Sequence, residues 1–227
     1  MKKTETKKLF YNKYLYRVQL VTKFGDLFRP KNRKKLESEL KLIDEERARR
    51  TKSRVSKNES YTLTGYPWRH RSVFENDVLI AKNILNLLNK DSDHKIRVEG
   101  HWVSIYSNSE SFIDNFVIEL PRDCVKELVK PDPKLKDVLV PGKLIVSEKF
   151  KNFEYKVHFS HVRDSKLPEW ITANNDLFEI TPHSQSMLNR GYGVNYMQLY
   201  VKDKKALTVL QMRMPSSLLH LYELVHK

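Results

Sequence analysis

An α+β fold, with antiparallel sheets, packed helices and a partly ferredoxin-like order, is what three features of this 227-residue sequence predict. Short stretches alternate apolar and polar residues with the period of two that marks half-buried strands. Longer stretches space apolar residues three and four apart, the period of an amphipathic helix. The two kinds follow one another as strand, helical insertion, strand, helix, two strands and helix. Without the insertion, that order is close to a split β-α-β arrangement.

The first strand is "YLYRVQLVT" (14–22), with Tyr16, Val18 and Leu20 on an apolar face and Leu15, Arg17, Gln19 and Val21 on the other. A charged helix follows over 30–50, where Leu36, Leu40 and Ile43 form a narrow apolar stripe at i, i+4 and i+7. "SYTLTGYP" (60–67) reads as a short strand ending at Gly65. From Val73 a helix is expected, burying Val73, Asp77, Ile80, Ile84, Leu85, Leu87 and Leu88. In "KIRVEGHWVSIYS" (95–107) the alternation shifts phase at Gly100–His101, which marks a bulge or tight turn between two strands. Ser107 stands three residues before Glu110, a capping-box spacing, and opens a helix closed by Pro121.

The best internal boundary is "PDPKLKDVLVPG", with three prolines and a glycine in twelve residues. The expected organisation is a first α+β domain made of a basic region, 1–71, and its remainder, 72–130. A Pro-rich linker, 131–142, and a second α+β unit, 143–227, follow. In that unit the sequence suggests a hairpin over "KLIVSEKFKNFEYKVHFSHV", a short strand "LFEI", a hairpin over "NYMQLYVKDKKALTVLQMRM" and a final helix opened by Pro215. "YLYRVQL" and "FEYKVHF" share a Y-[RK]-V-polar-apolar pattern that hints at a duplicated unit, although any amphipathic strand can produce so short a match.

Apolar residues make up 40% of the chain, which suits a folded protein with a core. A lone cysteine, Cys124, excludes a disulfide or a cysteine-based metal cluster within one chain and suits a reducing cytosol. The basic N-terminus has no apolar run of signal-peptide type, and no stretch approaches a membrane span. A cytoplasmic setting without membrane contact is expected.

The net charge of +14 is unevenly placed. Residues 1–57 carry 19 Lys and Arg against 7 Asp and Glu, whereas residues 72–227 carry 21 against 20. The excess sits in the first third and implies a focused field that attracts a polyanion. "RARRTKSRVSK" (47–57) supplies Arg47, Arg49, Arg50, Lys52, Arg54 and Lys57 with no acid between them. Six phosphate contacts would give a salt slope of about −5 on duplex DNA. The ordinary alternative is a solvated face that binds nothing in particular.

"YPWRHR" adds Tyr66, Trp68, Arg69, His70 and Arg71. Such rings stack on unpaired bases while arginines hold phosphates; the plainer reading is that Trp68 caps the core. The pairing of aromatics with cations, and the lack of a helix-turn-helix or zinc finger, favour RNA or single-stranded DNA over duplex. Packaging, protection, repression or ribonucleoprotein scaffolding by binding is the expected role, and the small basic chain would suit a viral or phage-encoded protein. Two rivals stand beside it. One is an adaptor docking on a host polymerase or ribosome, and the other is a metal-independent endoribonuclease using His70, His101 and His183.

No cofactor or metal site is expected. "HFSH" (158–161) would put its histidines on opposite faces of a strand, and no acidic cluster suits two-metal chemistry. "NRGYGVNY" (189–196) lacks the spacing of a phosphate loop and reads as a turn.

Overall fold

The computed structural model describes residues 1–52, 60–63, 71–159, 166–189, 197–214 and 218–226. They form two compact units. The first comprises Met1–Thr6 with Lys13–Asp132, and the second comprises Lys7–Asn12 with Pro133–Lys227. Both mix helices with antiparallel-rich sheet, so the fold is α+β.

The first unit runs β1 (Lys2–Thr6), β2 (Tyr16–Val21), α1 (Arg33–Lys52), β3 (Tyr61–Leu63), β4 (Arg71–Val73), α2 (Glu75–Leu88), β5 (His94–Glu99), β6 (Trp102–Ser107), α3 (Glu110–Glu119) and β7 (Val125–Pro131). Five strands form a sheet in the order β1-β7-β2-β6-β5, and β3 pairs with β4 as a separate antiparallel hairpin. β1 runs parallel to β7, while every other neighbour is antiparallel. β2 owes its place to its alternation: Tyr16, Val18 and Leu20 are buried in one core with Leu36, Leu40 and Ile43 of α1, Ile84 and Leu87 of α2, and Phe112 and Phe116 of α3. Burying each of these side chains is worth about 1.5–3 kcal/mol.

The phase shift at Gly100–His101 is a tight turn between β5 and β6, with Gly100 at φ +61°. That turn packs against the 3₁₀ turn Gly25–Phe28, so closely that a Cβ on Gly25 would lie 2.3 Å from the Gly100 carbonyl oxygen. Two local expectations need correction. Val73 ends β4 instead of opening α2, and Asp77 is no core residue: its carboxylate accepts the Phe74 N–H at 2.8 Å and meets Lys23 Nζ at 3.0 Å. The cap of α3 is Ser109, whose hydroxyl accepts the Phe112 N–H at 3.2 Å, while the Ser107 hydroxyl accepts the Ser109 N–H.

The second unit runs β8 (Lys143–Val146), β9 (Tyr155–Phe159), α4 (Leu167–Ala173), β10 (Phe178–Ile180), α5 (Pro182–Asn189), β11 (Met197–Val201), α6 (Lys204–Arg213) and β12 (Leu218–His226). Its sheet has the order β10-β11-β9-β12-β8, with β8 parallel to β12 and the rest antiparallel. This is the order of the first sheet, strand for strand: β8, β12, β9, β11 and β10 stand where β1, β7, β2, β6 and β5 stand. The two segments sharing Y-[RK]-V-polar-apolar are therefore the central strands β2 and β9. Val157 and Phe159 of β9 pack with α4 and α6 in a core that also holds Leu199, Leu207 and Leu210.

Three expectations fail in this unit. Residues 204–213 form α6 and not the far arm of a hairpin: the Asp203 carboxylate caps the Ala206 N–H at 2.8 Å, and Ala206, Leu207 and Leu210 are buried at helical spacing. The segment 218–226 is a strand, because β8 and β9 take up its backbone groups on both sides. β8 and β9 are no hairpin, since β12 lies between them.

Candidate nucleic-acid interface

Three of the named arginines, Arg47, Arg49 and Arg50, stand near the end of α1 beside the first turn of α2. α1 carries its apolar stripe towards the core and leaves its last two turns to charged residues. Arg47 reaches Glu75 on the first turn of α2 at 2.7 Å. Arg49 grips Glu46 through two nitrogens at 2.8 and 2.9 Å, and Arg50 Nε donates to the same carboxylate at 2.8 Å. Hydrogen bonds from these two guanidinium groups hold the Glu46 carboxyl down at about 2. Arg50 also stacks 5.0 Å from the Tyr61 ring centroid, and the Tyr61 hydroxyl donates to Glu75 at 3.4 Å. Burial first, then the Glu75 charge, pushes the Tyr61 hydroxyl above its usual range.

The described arginines are thus partnered, and three cations share two carboxylates. The pairs are not locks. Arg47 and Arg49 side chains are 58% and 78% exposed, and exposed pairs contribute only about 0–1 kcal/mol, so a phosphate can displace the carboxylate. Arg50, at 25%, is the structural member of the group.

Lys52 is the last residue of α1, and Arg71 opens β4 opposite Leu63. Arg54, Lys57, Tyr66, Trp68, Arg69 and His70 lie outside the described residues. Residues 53–59 join α1 to the start of β3, and residues 64–70 join β3 to β4.

Of the histidines named for cleavage, His70 lies outside the described residues. His101 sits in the β5–β6 turn with Nδ1 3.4 Å from the Thr22 carbonyl oxygen, and His183 belongs to α5 of the other unit. Among the described residues no three His, Cys, Asp or Glu side chains group as metal ligands. Cys124 is no ready nucleophile either, since burial pushes its thiol up to about 11 while it donates to the Val21 carbonyl at 3.2 Å. A groove of about 630 Å³ in the first unit has an apolar floor of Leu27, Phe28, Leu36, Leu85 and Leu88, with Arg33 and Lys95 also lining it.

A constellation the sequence reading missed lies on the second sheet. His158 and His220 are cross-strand neighbours on β9 and β12, and Lys156 stands opposite Tyr222. The ring centroids of His158 and Tyr222 are 5.3 Å apart, and those of His158 and His220 are 6.3 Å apart. Lys8 Nζ donates to the Tyr222 hydroxyl at 3.2 Å. The signal in the sequence is the alternation of Lys156 and His158 with Val157 and Phe159, whereas the spacing of the partner strand, 218–226, reads as a helix.

No helix among the described residues is long and apolar enough to cross a membrane. The chain matches no family model, no curated protein sequence and no solved structure.

Proposed function

We propose that the chain is a nucleic-acid-binding protein, acting by binding, with RNA or single-stranded DNA preferred over duplex. The observation that carries this reading is the concentration of positive charge in residues 1–71, of which Arg47, Arg49 and Arg50 stand near the end of α1. A focused field of this kind raises both the rate and the strength of polyanion capture. The neighbouring Tyr66 and Trp68 supply faces for unpaired bases. The role is packaging, protection, repression or scaffolding in a cytoplasmic setting, for which the lone buried thiol of Cys124 is suited. Each unit is proposed to be a split β-α-β module, supported by the four antiparallel strands β7-β2-β6-β5 and their counterparts β12-β9-β11-β10.

Trp68→Ala tests the preference. If Trp68 stacks on a base, the change costs about 1–3 kcal/mol for a single-stranded oligonucleotide and much less for a duplex, with a modest change in melting temperature. Arg69→Ser and Arg71→Ser weaken both ligands about equally, because phosphate contacts carry no base information. Equal loss for both ligands in Trp68→Ala, together with a large drop in melting temperature, would instead make Trp68 a core residue.

A further inference from the structure

The face of the second sheet turned away from the Val157 and Phe159 core gathers cationic and titratable side chains beside the buried cluster of Val146, Tyr200 and Leu224. On the central strand β9, Val157 and Phe159 point into the core, and Lys156 and His158 point to the other face. Register adds His220 and Tyr222 from β12, and Gln198 and Tyr200 from β11, to that same face. The segment Lys7–Asn12, tied to β8 by the Ile145 N–H donating to the Lys7 carbonyl at 2.8 Å, brings Lys8 to the Tyr222 hydroxyl. Lys156 Nζ lies 5.0 Å from the Tyr200 ring centroid. Glu179 of β10 stands opposite Tyr200 and acts on that phenol, at the far edge of the sheet.

Like charges crowd one another here. Burial, then Lys8, holds the Lys156 ammonium below its usual range. Burial, then Lys156, Lys8 and His220, holds His158 down at about 4, and among the described residues its buried Nε2 finds no hydrogen-bond partner. No carboxylate acts on Lys156 or His158 among the described residues.

The first unit shows what usually fills such a place. Its central strand carries Arg17 and Gln19 where β9 carries Lys156 and His158. There Gln19 stands opposite Glu127, whose carboxylate takes the Arg17 guanidinium and the Thr4 hydroxyl, the latter at 3.1 Å. At the matching position of the second unit stands His220. One sheet supplies its own anion, and its counterpart substitutes an imidazole for it. A folded chain keeps the half-buried ammonium groups of Lys8 and Lys156 within reach of each other's charge at a cost, and groups perturbed in this way cluster at functional sites.

We infer that this face is an anion site of the second unit, taking a phosphate group between Lys8, Lys156, His158 and His220. The ammonium groups and imidazole N–H groups donate to its oxygens as charge-assisted hydrogen bonds. The Tyr222 hydroxyl already accepts from Lys8, which leaves its own proton to donate outward. The same chemistry is offered by a free phosphate, a phosphate monoester or a phosphodiester of a nucleic-acid strand. The site stands apart from the proposed role of the first unit and does not depend on it.

The full chain, in a buffer free of phosphate, is titrated by calorimetry with inorganic phosphate and, separately, with a short oligonucleotide lacking terminal phosphates. Lys156→Gln and His220→Gln are measured beside it, with melting temperatures for all three. At least one probe is expected to bind, with affinity reduced about tenfold or more in each variant, as loss of a hydrogen bond to a charged group implies. Lys156→Gln should melt no lower than the parent, because it relieves repulsion from Lys8. Binding of inorganic phosphate alone assigns the site to free phosphate or a monoester. Oligonucleotide binding that inorganic phosphate displaces assigns it to a strand. Failure of both probes overturns the inference, and so does unchanged affinity in both variants. Arg47→Ser with Arg49→Ser leaves phosphate binding at this site unchanged, which separates it from any failure of the first unit to bind nucleic acid.

Discussion

His158 makes stability depend on pH in a direction its surroundings fix. In the folded chain burial and its cationic neighbours hold the imidazole down at about 4, whereas an unfolded histidine titrates near 6.5. Between these values the unfolded chain binds the extra proton. Stability contributed by this group is therefore fully present above about pH 6.5 and is lost as pH falls towards 4. At face value the displacement is worth about 3 kcal/mol. The ring is only half enclosed, and screening by water brings the expected loss to about 1–2 kcal/mol. The assay is urea unfolding of the parent and of His158→Gln from pH 7 to pH 4. The stability difference between the two chains should move by about 1–2 kcal/mol against the parent over that range, while most other titrating groups cancel. A difference that stays constant with pH would refute the placement of His158 beside Lys8, Lys156 and His220.

Gly25→Ala places a Cβ 2.3 Å from the Gly100 carbonyl oxygen and 2.9 Å from His101 Cα. Overpacking against backbone costs about 1–3 kcal/mol, so denaturant unfolding should show a loss of that order, and an unchanged midpoint would contradict the close approach. Ser109→Ala and Asp203→Ala each remove a helix cap, from α3 and α6, and each should cost about 1 kcal/mol. A neutral Asp203→Ala would argue against a helix over 204–213.

Local pattern was a sound guide wherever an element buries one face. Leu36, Leu40 and Ile43 point into the core from α1, and Tyr16, Val18 and Leu20 do so from β2, as their spacing predicts. The pattern misled where two elements share a period or where neighbours decide. In "LLHLYELVH" the residues Leu218, Leu219, Tyr222 and Val225 fit a helix as well as a strand. The choice falls to pairing with β8 and β9, which is set by residues some seventy positions away. In "KDKKALTVLQMR" the flanking charges suggested a hairpin tip, although Asp203 followed by Ala206, Leu207 and Leu210 spells a capped helix.

The same limit hid the second-unit constellation. His158 and His220 are sixty-two residues apart and meet only through strand register. The basic stretch, by contrast, is contiguous and legible, but its ion pairs were not: Glu46 lies within α1 and Glu75 opens α2, and only folding brings Glu75 to Arg47.

The reading of the first unit stands or falls on how binding responds to salt. Affinity of the full chain for a single-stranded oligonucleotide is measured across salt concentrations, for the parent and for Arg47→Ser with Arg49→Ser and Lys52→Ser, leaving the part-buried Arg50 in place. Surface changes of this kind usually alter stability by under about 0.5 kcal/mol each, so the fold should survive. With six phosphate contacts at roughly 0.7 per contact on a single strand, the parent slope should be about −4 and the variant slope about −2. An undiminished slope in the variant, or no salt-dependent binding by the parent, would contradict nucleic-acid binding through the end of α1.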